Sequence, residues 1–330
     1  MVSTYLIQNA TWWIDETSAD GLRLDIFPYV GRQFWYDFHH QLFTAYPNLT
    51  TVGEVLNETY LLPPAVNAFF AGGSHIGATQ QVDTGLYTPF DSPLYGVLRN
   101  VLLHGAPMTD LDLLLRQDSL YPHPERLVTL LGSHDTSRFL NEKGATPEEL
   151  ALAFGILSTV RGTPVIYSGD EVGMLGGQDP DNRHDFPGGF PANAGISNAF
   201  SASTRTPAQS FLHDRVKELL GVRRACAELS SGDQQELEAD GDTLAYVRGF
   251  DLKTGCAEGH GRALILVNKG AVPHEITVQA AQSSLAQFTS VSTLFGDSSS
   301  VTLKDGRLQA KIPAVGMLIL RLQQTERVCS

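Results

Sequence analysis

Three carboxyl groups lie at corresponding points of this sequence, each directly after a short apolar segment. Asp25 ends the segment GLRLD (21–25), Glu54 lies within VGEV (52–55), and Asp135 ends GSHD (132–135). Two carboxyl groups can act as nucleophile and proton donor in one reaction when their surroundings favour different protonation states. We expect the charge of Arg23 to favour the ionised form of Asp25, and the apolar neighbours of Glu54 to favour its protonated form.

The elements that must position these groups are strands alternating with helices. Leu22, Leu24 and Ile26 alternate with polar residues, which is the two-residue period of a strand. Strands are predicted at 21–27, 50–56, 86–90, 126–131 and 162–167, and helices at 4–17, 33–45, 61–70, 93–104, 109–117, 146–161 and 207–228. Acids at the C-terminal ends of successive strands separated by helices are typical of the active site of a parallel α/β barrel.

Two interpretations without catalysis stay open for these acids. Arg23 and Asp25 could be solvated charges on the polar face of a half-exposed strand. Alternatively, the three acids could form a buried ion-pair network with Arg23. Two further aromatic residues, Trp12 and Trp13, are expected in the hydrophobic core because they recur with other apolar residues at helical spacing.

The C-terminal part of the chain has a different pattern of apolar and polar residues. Short alternating segments separated by turn residues predict strands at 243–248, 262–268, 274–278, 300–303, 308–312 and 316–322. This pattern is typical of an antiparallel β-sandwich. The 330 residues are therefore divided into two predicted domains, an α/β domain over 1–229 and an all-β domain over 230–330.

Composition excludes several function classes. Apolar residues make up 42% and charged residues 18% of the chain, which is ordinary for a globular protein. The net charge of −13 disfavours nucleic acid as a partner. No apolar segment predicts a membrane span and the first ten residues do not resemble a signal peptide, so a cytoplasmic location is favoured. The cysteines, Cys226, Cys256 and Cys329, show no metal-site spacing and are expected to be free thiols.

The order and spacing of GLRLD, VGEV and GSHD resemble three signature regions of the α-amylase family of glycoside hydrolases. The segment GGQDPDNR (176–183) is similar to its cyclomaltodextrinase and neopullulanase branch. A glycine-rich phosphate-binding loop is the rival interpretation of this last segment, but no helix follows the glycines directly, as such a loop requires.

The resemblance implies a role for each matching residue. Asp25 would be the nucleophile, Glu54 the general acid/base and Asp135 a stabiliser of the transition state. Arg23 and His134 would contact the substrate beside them. Two further residues, Asp181 and Arg183, would lie near the sugar-binding cleft. The implied substrate is an α-glucan, and no cofactor or metal ligand is expected; the family can bind calcium, but the region that usually holds it has no counterpart here.

The implied fold is a partial (β/α)8 TIM barrel, about strands 4 to 8, followed by the β-sandwich. Strands at the edges of such a partial barrel would lack partners, which predicts self-association. Two hypotheses stay open. The chain is a retaining α-glucan hydrolase, or it is a truncated, inactive relative that serves as a structural or glucan-binding subunit.

Overall fold

The structure is a computed structural model and describes residues 1–56, 62–77, 81–188, 198–250, 261–279, 288, 290–304 and 307–323. The chain folds into two compact units. The first consists of Met1–Gly96 with Gln117–Thr129, and the second of Val97–Arg116 with Leu130–Ser330. This division does not test the predicted domains 1–229 and 230–330, which stay a prediction.

The first unit is built around a short parallel sheet. Its elements in chain order are α1 (Val2–Thr17), β1 (Gly21–Leu24), α2 (Arg32–Ala45), β2 (Thr50–Gly53), α3 (Pro64–Phe70), β3 (Thr88–Pro89) and the beginning of α4 (Ser92–Leu103). Strand β1 pairs with β2 and β2 with β3, all parallel, with Leu24 opposite Gly53 and Gly53 opposite Pro89. Phe90 extends this order by a parallel bridge to Val128.

The strands of this sheet are shorter than predicted. Strand β1 ends at Leu24 rather than at residue 27, because Ile26 has a left-handed backbone conformation with φ 44° and begins a turn over Phe27–Tyr29. Strand β2 likewise ends at Gly53, one residue before Glu54. The predicted helix at 61–70 is α3, and residues 57–61 lie outside the described part of the chain.

The prediction that Trp12 and Trp13 are core residues is wrong. Each is 51% exposed, and the buried face of α1 is formed instead by Ile7 and Ile14. These isoleucines join the core that Phe27 and the apolar face of α2 build under the sheet. Their helical spacing predicted that the two tryptophans lie on the buried face of α1. In the structure, only the side of α1 that carries Ile7 and Ile14 packs against other elements.

His39 is a buried part of this core. Its Nδ1 lies 2.9 Å from the carbonyl oxygen of Trp35 and 2.6 Å from that of Thr84, and its Nε2 lies 3.0 Å from Oγ1 of Thr51. Carbonyl oxygens only accept, so Nδ1 carries the proton and Nε2 accepts from the threonine hydroxyl. Burial lowers the pKa of His39 from 6.5 to about 4.

We expect the His39 imidazole to stay neutral until the pH falls to about 4. Between pH 6.5 and 4 the unfolded chain binds a proton that the folded chain does not, so this histidine lowers the free energy of unfolding by about 3 kcal/mol as the pH falls through that window. NMR titration of the imidazole, assigned with His39→Asn, checks this. A titration midpoint near 6.5 at position 39 would contradict it.

The helical part of the second unit carries the chain from β4 to the β-sandwich. Its elements are the end of α4, α5 (Met108–Leu115), the end of β4 (Val128–Leu130), α6 (Pro147–Thr159), β5 (Thr163–Val165), α7 (Pro207–Ala225) and α8 (Ala227–Ser231). Strands β4 and β5 form a two-stranded sheet. Helices α6 and α7 both begin with a capping box and a proline at the first helical position, at Thr146 and Thr206.

The C-terminal strands form the predicted antiparallel sandwich. Their bounds are β6 (Asp233–Ala239), β7 (Thr243–Gly249), β8 (Arg262–Asn268), β9 (His274–Gln279), β10 (Ser290–Phe295), β11 (Thr302–Lys304), β12 (Arg307–Ile312) and β13 (Gly316–Gln323). One sheet has the order β10-β13-β8-β7-β6 and the other β11-β12-β9. Inward-facing side chains from both sheets share one core, among them Val247, Leu264, Val278 and Leu308.

The larger sheet also buries its second face. Tyr246, on the opposite face of β7 from Val247, is fully buried and its hydroxyl lies 2.5 Å from Oγ1 of Thr159 at the end of α6. Nη1 of the buried Arg248 donates to the carbonyl oxygen of Thr159 at 2.8 Å. Coverage on both faces explains why every residue of β7 and β8 is buried.

Membrane spans and free thiols can both be checked on the described residues. None of their helices combines the length and the apolar character needed to cross a bilayer. Cys226 is a buried free thiol; Cys256 and Cys329 lie outside the described residues.

Candidate active site

Asp25 and Glu54 follow paired positions of two parallel strands. Because Leu24 and Gly53 are opposite each other, the residues that come next leave the sheet side by side. The amide of Glu54 donates to the carbonyl oxygen of Leu24 at 2.9 Å, and the amide of Phe27 donates to that of Glu54 at 3.2 Å. These backbone bonds fix the two acids at the C-terminal edge of the sheet.

The backbone next to Asp25 adopts an unusual conformation. Ile26 has a positive φ, which is rare and strained for a β-branched residue. In this conformation its amide donates to Oε2 of Glu54 at 3.1 Å. A Cβ at position 53 would lie 2.7 Å from Cδ2 of Leu86 and 3.2 Å from Cδ2 of Phe27. Glycine at this position therefore leaves room for these two side chains next to Glu54.

Arg23 joins the two carboxyl groups. Its Nη1 donates to Oδ1 of Asp25 and its Nη2 donates to Oε1 of Glu54 at 2.6 Å. The Glu54 side chain is 10% exposed, whereas that of Asp25 is 65% exposed. We call Asp25, Glu54 and Arg23 the carboxylate pair with its arginine.

The surroundings of Glu54 favour its protonated form. Burial raises the pKa of Glu54 above its ordinary value, although the Ile26 amide and the Arg23 guanidinium oppose this, and the nearby Asp25 carboxylate adds to it. A buried carboxyl group beside an exposed one is the arrangement in which one acid can donate a proton while the other stays available as a nucleophile. The direction of the pKa shift agrees with the sequence-based expectation for Glu54.

His134 and Asp135 lie in the second unit, in the turn that follows β4. The amide of Asp135 donates to Oγ of Ser133 at 3.1 Å, and the amide of Ser133 donates to Oγ1 of Thr136 at 2.9 Å. Nε2 of His134 lies 3.2 Å from Oδ2 of Asp135, and Nη2 of Arg183 donates to Oδ1 at 3.1 Å. The structure thus brings His134, Asp135 and Arg183 together.

Arg183 comes from the predicted glycine-rich loop. Its Nε donates to the carbonyl oxygen of His134 at 3.0 Å and lies 2.8 Å from Oδ1 of Asp179. The preceding residue, Asn182, is fully buried and donates to the carbonyl oxygens of His134 at 2.6 Å and Thr136 at 2.9 Å. The loop is therefore fastened to the turn that carries Asp135.

Asp181 makes contacts within its own loop. Its Oδ2 accepts from the amide of Gly177 at 2.6 Å, and its Oδ1 lies 2.9 Å from Nε2 of His184. The Gly177 amide lowers the pKa of Asp181, and His184 adds to this. Asp181 thus closes its own loop in this structure, and contact with a sugar stays a prediction.

Sequence reasoning missed a buried ion pair beneath this turn. Nη1 of Arg138 donates to Oδ1 of Asp170 at 2.7 Å and to the carbonyl oxygen of Ser168 at 3.0 Å, and its Nε donates to that of Asn182 at 3.1 Å. Burial raises the pKa of Asp170 to about 6 although Arg138 opposes this. The one feature of the sequence that could have pointed to this ion pair is the position of Arg138, three residues after Asp135.

Across the described part of the chain, no group of three or more histidine, cysteine, aspartate or glutamate side chains could hold a metal ion. The predictions that no metal or cofactor is needed stay untested.

Known proteins share sequence and fold with this chain. The α-amylase catalytic-domain family model matches residues 1–210. A cyclomaltodextrinase from Geobacillus thermopakistaniensis (strain MAS1) is 27% identical over 293 residues, which cover 83% of this chain and 41% of that protein. Neopullulanase 2 from Thermoactinomyces vulgaris is 30% identical over 251 residues, covering 75% of this chain and 37% of that protein.

Among solved structures, the α-amylase from Geobacillus thermoleovorans in complex with acarbose has a TM-score of 0.78 at 23% identity. The superposition covers 98% of this chain and 64% of the other. Such a score shows a common fold, with the barrel followed by a C-terminal β domain. This chain spans about two fifths of the length of the curated relatives it matches.

Proposed function

Because this chain belongs to the α-amylase family, we propose that it is an α-glucan hydrolase that acts with retention of configuration. The observation that carries the proposal is the carboxylate pair with its arginine. A half-exposed guanidinium bonds both carboxyl groups, and burial raises the pKa of Glu54, whereas the Asp25 side chain is exposed. Retaining glycosidases need a proton donor and a nucleophile in neighbouring carboxyl groups.

In the first step we propose that an oxygen of Asp25 attacks the anomeric carbon. The new bond to Asp25 forms as the glycosidic carbon–oxygen bond breaks, and Glu54 gives its proton to the departing oxygen. In the second step the deprotonated Glu54 takes a proton from water, which attacks the same carbon and releases Asp25. Two inversions at one carbon leave its configuration unchanged.

The remaining predicted site residues keep the roles that their motifs have in the family. We propose that Asp135 stabilises the transition state and that His134 hydrogen-bonds a sugar hydroxyl. Arg183 bonds Oδ1 of Asp135 and holds that carboxylate in place. Asp181 and Arg183 are also proposed to contact the substrate from the glycine-rich loop.

The finer description of fold and substrate is proposed on the same basis. We propose that β1, β2, β3 with the bridge at Phe90, β4 and β5 correspond, in chain order, to strands 4 to 8 of a (β/α)8 barrel. Relatives named cyclomaltodextrinase and neopullulanase favour cyclodextrins, maltooligosaccharides and pullulan fragments as substrates.

The purified chain is expected to release reducing sugar from maltotriose and from cyclodextrins, with the Glu54→Gln chain as the blank. Size-exclusion chromatography and circular dichroism on the same sample establish that the chain is folded. A folded chain that releases no sugar from any of these substrates would overturn the hydrolase proposal for this polypeptide. It would favour the other hypothesis, an inactive glucan-binding or structural subunit.

Self-association through exposed strand edges stays a prediction; β1 is an edge strand of its sheet, and we propose that the exposed aromatic face of α1, the helix that precedes β1, takes part in it. Tyr5 is 65% exposed, and Trp12 and Trp13 are 51% exposed each. Clustered exposed apolar side chains of this kind favour a partner protein, and we propose a second copy of this chain. Light scattering over a concentration series should show association that Trp12→Gln with Trp13→Gln weakens about tenfold, equivalent to about 1.4 kcal/mol.

The matched control for this association is Tyr29→Gln. Tyr29 is 77% exposed but lies outside α1, so its replacement should leave association unchanged. A chain that stays monomeric at every concentration would contradict the proposal, as would equal effects of both replacements.

A further inference from the structure

A cavity of about 280 Å³ lies in the second unit, and none of the residues proposed to catalyse lines it. Its walls come from the first two turns of α6, the first half of α7, the end of β10 with the turn after it, and the turn between β12 and β13 with the beginning of β13. Its volume is close to the lower end of the range for small-molecule sites, roughly 300 Å³. The cavity can therefore hold a small ligand or one end of a longer one.

Two aromatic rings and one guanidinium are part of the cavity lining. Phe211 and Arg215 come from α7, and Phe295 is the last residue of β10. The guanidinium carbon of Arg215 lies 5.8 Å from the Phe211 ring centroid and 5.4 Å from the Phe295 ring centroid. The Arg215 side chain is 44% exposed and Nη1 donates to Glu218 at 3.1 Å. A set of nitrogen donors is thus held over an apolar surface.

Two carboxyl groups complete the lining. Glu148 lies in the first turn of α6, and Asp297 lies in the turn after β10. Oδ1 of Asp297 accepts from the Ser299 amide at 2.8 Å, and this bond lowers the pKa of Asp297. The cavity therefore offers carboxylate acceptors from two elements and guanidinium donors from a third.

The rim of the cavity is held in a conformation that costs free energy. Val315, between β12 and β13, has φ 43°, which is strained for a β-branched residue. Its amide donates to the carbonyl oxygen of Gly270 at 3.0 Å, which helps to hold the turn in place. Such strained positions occur often at binding sites, and this one lies at the cavity wall.

We propose that this cavity is a second carbohydrate site that binds one end of an α-glucan chain. A neutral, hydroxyl-rich ligand suits a lining of two carboxylates and one guanidinium, because each hydroxyl can both donate and accept. The C–H faces of a sugar ring suit contact with Phe211 and Phe295. An anionic ligand fits less well, since two acids line the cavity and the chain has a net charge of −13. The choice of α-glucan rests on the proposed function.

The test uses the methyl group of Met317, which lines the cavity and is one of four methionines in the chain. The full chain is labelled at the methionine methyl carbons, and its Met317 signal is assigned with Met317→Leu. Maltotriose is then titrated into the Glu54→Gln chain, in which hydrolysis is blocked. The Met317 signal is expected to shift saturably, and Phe211→Ala or Arg215→Ala should weaken the apparent affinity roughly five- to tenfold.

Arg224→Ala is the matched control, because Arg224 is an exposed arginine of the same helix that does not line the cavity. It should leave the titration unchanged. A Met317 signal that does not move with maltotriose, or that moves equally in the parent and Arg215→Ala chains, would overturn the inference.

The outcome is separable from that of the proposed function. Hydrolysis by the wild-type chain with an unmoved Met317 signal would reject the second site alone. A titrating Met317 signal in a chain without hydrolytic activity would support the site and reject the hydrolase proposal.

Discussion

Glu54→Gln is expected to hydrolyse maltooligosaccharides about 10²–10⁴ times more slowly than the wild-type chain, because the amide cannot give a proton to the departing oxygen. The shape changes little, but the Gln amide has one acceptor oxygen where Glu54 has two, so it can accept from Arg23 or from the Ile26 amide and not from both. In the wild-type chain, kcat should fall as the pH rises and Glu54 loses its proton. Burial raises the pKa of Glu54, so this decline should lie above the ordinary pKa of a glutamate, and it should be absent in Glu54→Gln.

An activated substrate separates the roles of the two acids. α-Glucosyl fluoride has a leaving group that needs little protonation, so the first step in Glu54→Gln should be fast with it. Asp25→Asn removes the attacking oxygen anion and should stay inactive with both substrates. Stopped-flow measurement of fluoride release checks this. Equal rates of release in the two variants would contradict the assignment of Asp25 as nucleophile and Glu54 as proton donor.

The positions of the candidate acids could be predicted from the sequence because all strands of a parallel sheet end at the same edge. Alternating apolar residues identified the strands, and acids after them are expected at one edge of the sheet. Their local geometry could not be predicted. Strand β1 ends at Leu24 because Ile26 adopts a left-handed conformation, and nothing in its side chain favours that conformation. The contacts of Ile26 with Glu54 hold it there.

Strands were missed where the sequence lacks an apolar face. Strands β6 and β10 are the two edges of the larger sandwich sheet. Their side chains are mostly half-buried or exposed, with Gln234, Gln235 and Glu236 in β6 and Ser290 and Ser292 in β10. An edge strand needs only one covered side and can be polar. Backbone pairing with β7 and β13 decides their structure, and that pairing is not encoded in a local pattern.

Burial of the long side chains was equally hard to predict. Trp12 and Trp13 were expected in the core, and each is half-exposed. Arg138 carries a full charge, yet its side chain is 1% exposed because carbonyl oxygens and Asp170 surround it. Which neighbours cover a side chain depends on elements distant in sequence, so composition and spacing alone predict neither case.

Breaking the Arg138–Asp170 pair is expected to destabilise the chain strongly. Arg138→Met should lower the free energy of unfolding by about 3–5 kcal/mol, because it leaves the Asp170 carboxylate buried without its cation. Arg183→Met is the matched control: Arg183 also pairs with two acids, but its side chain is 44% exposed, and its loss should cost less than about 1 kcal/mol. Urea denaturation of both variants measures the difference.

The pH dependence of this loss identifies its cause. Burial already raises the pKa of Asp170 to about 6 in the presence of Arg138, and removal of the guanidinium should raise it further. A carboxyl group with a raised pKa in the folded chain lowers stability as the pH rises from its unfolded pKa to its folded pKa. Arg138→Met should therefore lose more stability at pH 8 than at pH 5, and Asp170→Asn added to it should restore part of the loss at pH 8. A deficit that is equal at both pH values and unaffected by Asp170→Asn would instead indicate that the hydrogen bonds of Arg138 to Ser168 and Asn182 hold these loops.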